Sequence, residues 1–143
     1  MKQLIILMLS FFSVSCTVDI EIISSKKQII LPGIKSGKPF LNYRFEIIVN
    51  KTTDIKFDSI IVENKKGKFR VNYFLNKKDS SLYIQNLNEI GTYFLDVSLK
   101  ENSLIKQAIE QPLKEKVTIY FQQGNLKKHI TASTFVEETI TRR

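Results

Sequence analysis

The sequence is poor in the residue types from which most catalytic and metal-binding sites are built. Its 143 residues include one histidine, one cysteine and no tryptophan. A zinc site needs three or four protein ligands, which His129 and Cys16 do not supply. Acidic residues such as Asp54 and Asp58 lack the clustered spacing of a calcium loop. The sequence therefore predicts no metal ion and no cofactor.

Sequence motifs of common enzymes are absent as well. No G-x-S-x-G nucleophile elbow occurs, and His129 is interpreted as a surface residue of a strand. Residues 33–38 are similar to a phosphate-binding loop, but their glycine spacing is one residue short and Pro39 replaces the required Ser or Thr. We therefore expect no catalytic residue. The paired carboxylates of a glycoside hydrolase are defined by a distance in space, so a small carbohydrate-active enzyme stays an alternative.

The sequence contains fewer acidic than basic residues. The 22 Lys and Arg residues outnumber the 14 Asp and Glu residues, which gives a net charge of +8. Loss of residues 1–15, whose only charged residue is Lys2, leaves 8 − 1 = +7. Basic residues are scattered or paired, as in Lys65-Lys66, and no arginine-rich helix or RNA-binding aromatic motif occurs. The charge is interpreted as solvation of the surface, and nucleic acid is not an expected partner.

Alanine is nearly absent, at Ala108 and Ala132 only, whereas β-branched and aromatic residues are abundant. This composition favours strands over helices. The clearest strand covers residues 40–49, where apolar and polar side chains alternate with a period of two. One face of this strand carries Leu41, Tyr43, Phe45, Ile47 and Val49, and the other carries Asn42, Arg44 and Glu46.

The same alternation predicts further strands along the chain. They lie at residues 18–22, 55–62, 69–75, 82–84, 93–99, 117–121 and 126–136. Ile60 and Val62 are out of phase with Ile55 and Phe57, which indicates a bulge. The connection through Gly124 predicts a hairpin between the last two strands.

Seven or eight short strands separated by turns predict an all-β fold, an antiparallel β-sandwich. The segment Gly91-Thr92-Tyr93 resembles the tyrosine corner of immunoglobulin-like domains, where the tyrosine hydroxyl bonds back to nearby backbone. That resemblance implies an immunoglobulin-like sandwich. Apolar residues at helical spacing predict one short helix over residues 101–111, before Pro112. Residues 137–143 are polar, and we expect them to form a tail that frays.

The first residues have the organisation of an export signal. Lys2 supplies a positive charge, and residues 4–12 form an apolar stretch interrupted only by Ser10. Small residues follow at Ser13 and Ser15, where a signal peptidase requires them. The stretch is shorter than the roughly 20 residues needed to span a bilayer. It is therefore interpreted as a signal peptide covering residues 1–15.

The only cysteine comes directly after this signal. Ser13-Val14-Ser15-Cys16 resembles the lipobox of bacterial lipoproteins, although that family usually has Leu where Ser13 stands. The resemblance implies that Cys16 is lipidated and becomes the first residue of the mature protein. Ordinary secretory cleavage at the same bond is the alternative.

Together these features predict a signal peptide (1–15), a lipid-anchored β-sandwich domain (16–136) and a polar tail (137–143). The predicted location is the bacterial cell envelope, with an anchor in a membrane, most simply the outer one. The expected function is a non-catalytic binding or structural module whose partner is an envelope protein or a polysaccharide. A small envelope enzyme acting on carbohydrate and an unlipidated secreted binding or inhibitor protein are the alternatives.

Overall fold

A computed structural model describes residues 19–34, 37–51, 53–65, 67–99 and 115–142 of the chain. This part contains nine strands and no helix, and accordingly no helix in it has the length and apolarity to cross a membrane. The strands are β1 (Ile20–Leu31), β2 (Phe40–Val49), β3 (Ile55–Asn64), β4 (Gly67–Lys77), β5 (Asn86–Leu87), β6 (Gly91–Leu99), β7 (Lys116–Gln123), β8 (Leu126–Ala132) and β9 (Val136–Thr141).

The nine strands form one mixed sheet. Their order is β8-β7-β3-β4-β6-β2-β1-β9, and β5 pairs with β3 outside this path. Strand β4 pairs with β3 through residues 67–71 and with β6 through residues 72–77. A strand that changes partners in this way turns a corner between two layers. The sheet therefore folds over on itself, and apolar side chains from both halves form one core.

The apolar alternation seen in the sequence accounts for the core. The predicted face of β2 is confirmed, because all five of its apolar side chains are buried. The predicted face of β6 is buried too, at Tyr93, Leu95, Val97 and Leu99. From the other half of the sheet, Val117, Ile119 and Phe121 of β7 pack into the same cluster. A predicted hairpin joins β7 to β8, with Gly124 at a φ of 58° that glycine adopts without strain.

Two bulges change which side chains face the core. The bulge predicted in β3 is confirmed by a shift in register between Phe57 and Ser59. A second bulge, which the sequence analysis does not predict, lies in β1 between Ile22 and Ser24. Since an extra residue reverses the alternation that follows it, Lys27 points into the core.

The fold class is confirmed at the level of an all-β protein, and several finer expectations need correction. The immunoglobulin-like antiparallel sandwich of seven or eight strands is not established, because nine strands form one continuous sheet and β1 pairs with β9 in parallel. The helix predicted over residues 101–111 lies outside the described residues, among which there is no helix.

The strand predicted at residues 82–84 is reduced to a single antiparallel β-bridge, between Tyr83 and Asn76 of β4. Leu82 is 73% exposed, so it lacks the burial that would hold a strand there. The short strand lies instead at Asn86–Leu87, where Leu87 is fully buried.

The expectation of a frayed tail over residues 137–143 is also wrong. Most of that segment belongs to β9, whose backbone pairs with β1 from Lys26 to Leu31. Its polar sequence shows only that both faces of this edge strand are mostly exposed.

The tyrosine hydrogen bond expected near residue 93 is present. The Tyr93 hydroxyl donates to the backbone carbonyl of Glu89 at 2.8 Å. This bond ties the turn before β6 to the start of that strand.

Two leucines test the assignment of the core. Leu95 is fully buried in β6, whereas Leu126 at the start of β8 is 63% exposed. We expect Leu95→Ala to lower the free energy of unfolding by about 2–5 kcal/mol, because it leaves a cavity. The matched variant Leu126→Ala is expected to change it by less than about 0.5 kcal/mol. Urea unfolding of the mature chain measures both, and equal effects would contradict the described packing.

Candidate functional site

A row of polar side chains crosses the outer face of four neighbouring strands. The strand register places Glu138 of β9 beside Gln28 of β1, Gln28 beside Asn42 of β2, and Asn42 beside Ser98 of β6. Side chains at alternate positions of a strand share one face, so all four point away from the core. We call these four residues and Asp96 the polar row.

Hydrogen bonds join the polar row from one strand to the next. The Asn42 amide donates to Gln28 Oε1 at 2.8 Å and to Asp96 Oδ1 at 3.0 Å. The Gln28 amide donates to Glu138 Oε1, and the Ser98 hydroxyl donates to Asn42 Oδ1 at 3.2 Å. The side-chain amides of Gln28 and Asn42 each donate through the nitrogen and accept through the oxygen. These hydrogen bonds fix the orientation of both side chains.

Arg44 holds the carboxylate of Asp96 with both sides of its guanidinium group. Its Nε and Nη2 atoms donate to the two carboxylate oxygens at 2.8 and 2.9 Å. This hydrogen bonding raises the pKa of Arg44. Such a two-pronged contact fixes both side chains in one plane.

At the other end of the polar row, hydrogen bonding from Gln28 lowers the pKa of Glu138. The Lys26 ammonium group, 3.6 Å from Glu138 Oε2, acts in the same direction. Glu138 is therefore ionised at neutral pH.

The polar row, apart from Glu138, lines a groove with a volume of about 670 Å³. Its sides are apolar and include Phe40, Phe74 and Ile140. The Arg142 guanidinium lies over the Phe40 ring at 4.9 Å from the ring centroid, within the range of a cation–π contact. Lys38 also lines this end of the groove. Fixed polar groups between apolar walls are typical of a ligand-binding site.

Two carboxylates lie in or beside this groove. Both oxygens of Asp96, which lines the groove, accept hydrogen bonds from Arg44. Glu138, next to the groove, accepts a hydrogen bond from Gln28. Both carboxylates therefore act as hydrogen-bond acceptors in the described structure.

A second polar cluster lies inside the core, on the opposite face of the same strands. Lys27 is 1% exposed, and its ammonium group lies 3.0 Å from Glu115 Oε1. The Tyr43 hydroxyl donates to the other oxygen of Glu115. Glu137, at the start of β9, lies 3.5 Å from the same ammonium group. Removal of one partner from such a buried pair leaves a charge uncompensated, so the cluster ties β1, β2, β9 and the approach to β7 together.

Among the described residues, those singled out in the sequence do not come together. Cys16 and the predicted signal peptide lie outside the described residues. His129 is exposed on β8, with its ring 5.7 Å from that of Tyr120. Asp54 lies 3.9 Å from Lys56 in an exposed ion pair. No group of three His, Cys, Asp or Glu side chains is placed to hold a metal ion within the described ranges.

The sequence analysis identifies the outer face of β2 but not the groove. Asn42 and Arg44 are recognisable as outward-facing residues from the alternation alone. Gln28 and Glu138 are not, because the bulge in β1 and the pairing of β9 place them. The usable signal is the cluster of amide and guanidinium side chains on one strand face.

Comparison with known proteins gives little to build on. No family model matches the chain, and no curated protein matches it either. A search of solved structures finds AggA, the major subunit of aggregative adherence fimbriae type I from Escherichia coli. The match covers 88% of this chain and 97% of that chain, at 8% sequence identity and a TM-score of 0.33.

The buried cluster predicts a specific dependence of stability on alkaline pH. Burial, followed by the charge of Glu115, raises the pKa of Tyr43 well above its usual 10.0. The folded protein therefore keeps the hydroxyl proton at a pH where the unfolded chain loses it. We expect the free energy of unfolding to fall above pH 10, by up to about 1.4 kcal/mol per pH unit from this group.

In Tyr43→Phe the decline above pH 10 is expected to be shallower. Stability at neutral pH should be lower by about 1–2 kcal/mol, because Glu115 loses its hydroxyl donor. Urea unfolding between pH 7 and 11 measures both effects. Tyr83→Phe, at a 75% exposed position, is the matched control for loss of a tyrosine hydroxyl. A slope that Tyr43→Phe leaves unchanged would show that Tyr43 is not the linked group.

Proposed function

We propose that the chain is an exported, membrane-anchored envelope protein that acts as a non-catalytic binding module, and that its outer groove binds a polysaccharide. The observation that supports this proposal is the groove itself. Its floor is a hydrogen-bonded row of amide, hydroxyl, carboxylate and guanidinium groups, and its sides are apolar.

Sugars match such a surface in two ways. Their hydroxyl groups both donate and accept hydrogen bonds, so they can pair with amides, with carboxylates that accept and with the Arg44 guanidinium that donates. The apolar faces of sugar rings pack on aromatic side chains such as Phe74, which is 51% exposed at the groove wall. Because the row is already fixed by its own hydrogen bonds, little ordering is required when a ligand binds.

The position of the groove agrees with an anchor at Cys16. Only two residues separate Cys16 from Asp19, at the start of the described chain. The 12 residues of β1 then extend over about 40 Å. The groove end that contains Lys38 and Arg142 lies near the far end of β1, since the Arg142 amide donates to the Leu31 carbonyl. An anchor at Cys16 would therefore leave this end facing away from the membrane.

An immunoglobulin-like architecture is part of the same proposal. In such domains strands A, B, E and D form one sheet and strands C, F and G the other. The pairing of β1, β2, β6 and β4 follows the first order, and that of β3, β7 and β8 follows the second. Two features depart from this pattern. Strand β4 pairs with strands of both halves. The hydrogen-bonded Tyr93 lies near the start of β6, which corresponds to strand E, whereas the tyrosine corner of such domains lies at strand F.

Lipidation of Cys16 is tested by metabolic labelling with a clickable fatty acid. We expect the label on the wild-type protein and none on Cys16→Ala, because the proposed lipid is attached to this residue. Ser10→Ala, in the apolar stretch of the signal, is the matched control and should retain the label. Equal labelling of the wild type and Cys16→Ala would rule out the anchor, and wild-type protein in the soluble medium would favour secretion.

Binding in the groove is tested with Phe74→Ala against Tyr120→Ala. Both aromatic residues are on outer faces, and Tyr120 is 40% exposed on β7, away from the groove. With polysaccharide extracted from the native envelope, we expect Phe74→Ala to weaken binding about tenfold, the effect of losing one stacked ring. Tyr120→Ala should bind like the wild type. Calorimetry measures the affinity, and chromatography of the recovered sugar detects hydrolysis. Equal affinities of the two variants, or cleaved sugar, would contradict the proposal.

A further inference from the structure

We infer that the ligand of the groove is an acidic oligosaccharide whose negative group is held by Lys38 and Arg142. The inference rests on the proposed function and adds the charge and the minimum size of the ligand. It follows from the distribution of charge in the groove and from the separation of its two aromatic walls.

The three cations that line the groove differ in their partners. Arg44 is neutralised by its two hydrogen bonds with Asp96. Lys38 and Arg142, in contrast, have no ion pair with any carboxylate among the described residues. Both line the groove at the end that contains Phe40. This end therefore carries two positive charges that the described part of the protein does not compensate.

Arg142 is also oriented before any ligand binds. Its guanidinium group lies over the Phe40 ring, and its backbone amide donates to the Leu31 carbonyl at 2.9 Å. A cation–π contact uses the charge of the guanidinium group and leaves its N–H groups able to donate. These paired donors match a carboxylate, a phosphate or a sulfate group. Lys38 adds a flexible positive charge at the same end.

The separation of the aromatic walls sets a minimum length for the ligand. Phe40 and Arg44 are four residues apart on β2, and the register runs from Arg44 to Asp96 and then to Phe74 on β4. Four residues along a strand and two strands across correspond to about 16 Å between the Cα atoms of Phe40 and Phe74. A single sugar ring is too short to contact both walls. The ligand is therefore an oligosaccharide that lies diagonally across the polar row.

The experiment uses the mature protein and galacturonate oligomers of one to six units. The fully methyl-esterified hexamer is the uncharged probe with the same backbone, and a phosphorylated mannose hexamer supplies a different acidic group. We expect affinity to rise with length over the first few units and to be about tenfold lower for the ester than for the matching acid. Binding of the phosphorylated probe alone would retain the inference and assign the acidic group as phosphate.

Two double variants separate the local contact from net charge. Lys38→Gln with Arg142→Gln removes both groove cations, and Lys65→Gln with Lys127→Gln removes the same charge at exposed positions elsewhere. We expect the first variant to lose at least about tenfold in affinity for the acidic probes, and the second to change it less than about twofold. Thermal unfolding of each variant confirms that it is folded.

The outcomes distinguish the two levels of the proposal. Equal binding of the acid and its ester, or equal losses in the two double variants, would overturn the acidic ligand and leave polysaccharide binding in place. Affinity for the monomer equal to that for the hexamer would overturn the extended ligand. Failure of the wild type to bind any acidic or neutral sugar, including the native envelope polysaccharide, would overturn both proposals.

Discussion

The structure depends on how strand β2 is held. Its neighbours β1 and β6 pair with it along almost its whole length, so each of its residues is committed to one face of the sheet. The inward residues from Leu41 to Val49 form much of the core, and the outward Asn42 and Arg44 form the centre of the groove. A slip of one residue in this register would exchange the two sets. The burial that stabilises the fold therefore also fixes the positions of the groove residues.

The same coupling connects the two polar clusters. Lys27 and Gln28 are neighbours in β1, as Asn42 and Tyr43 are in β2, yet they point to opposite faces. The buried Lys27–Glu115 pair ties these strands together from inside, and the polar row ties them together from outside. A buried ion pair adds little net stability, but it penalises any arrangement in which one partner is left alone. The buried cluster thus acts on the geometry of strands that carry the groove.

In the function proposed for this chain, the outer groove binds its ligand with groups that are already in place. Its polar groups are aligned by backbone pairing and then fixed by hydrogen bonds with each other, so their arrangement exists before a ligand arrives. The two ends of the groove differ. Lys38 and Arg142 make the end beside Phe40 positive, and the other end has the exposed ring of Phe74. Such a surface combines long-range attraction with contacts that depend on shape.

The sequence by itself determined the elements that can be identified from a few neighbouring residues, such as strands in which every second side chain is buried. The all-β class, the faces of β2 and β6, the bulge in β3 and the hairpin at Gly124 all follow from alternation and turn chemistry within a few residues. The expectations of a signal peptide over residues 1–15 and of lipidation at Cys16 also come from local sequence. Only the tertiary structure decided the rest. The bulge in β1 brings Lys27 into the core, and the pairing of β9 with β1 converts an apparent tail into a strand. The polar row joins residues from 28 to 138, and the contacts that bring them together depend on strand order and register, which a local pattern of hydrophobicity does not contain.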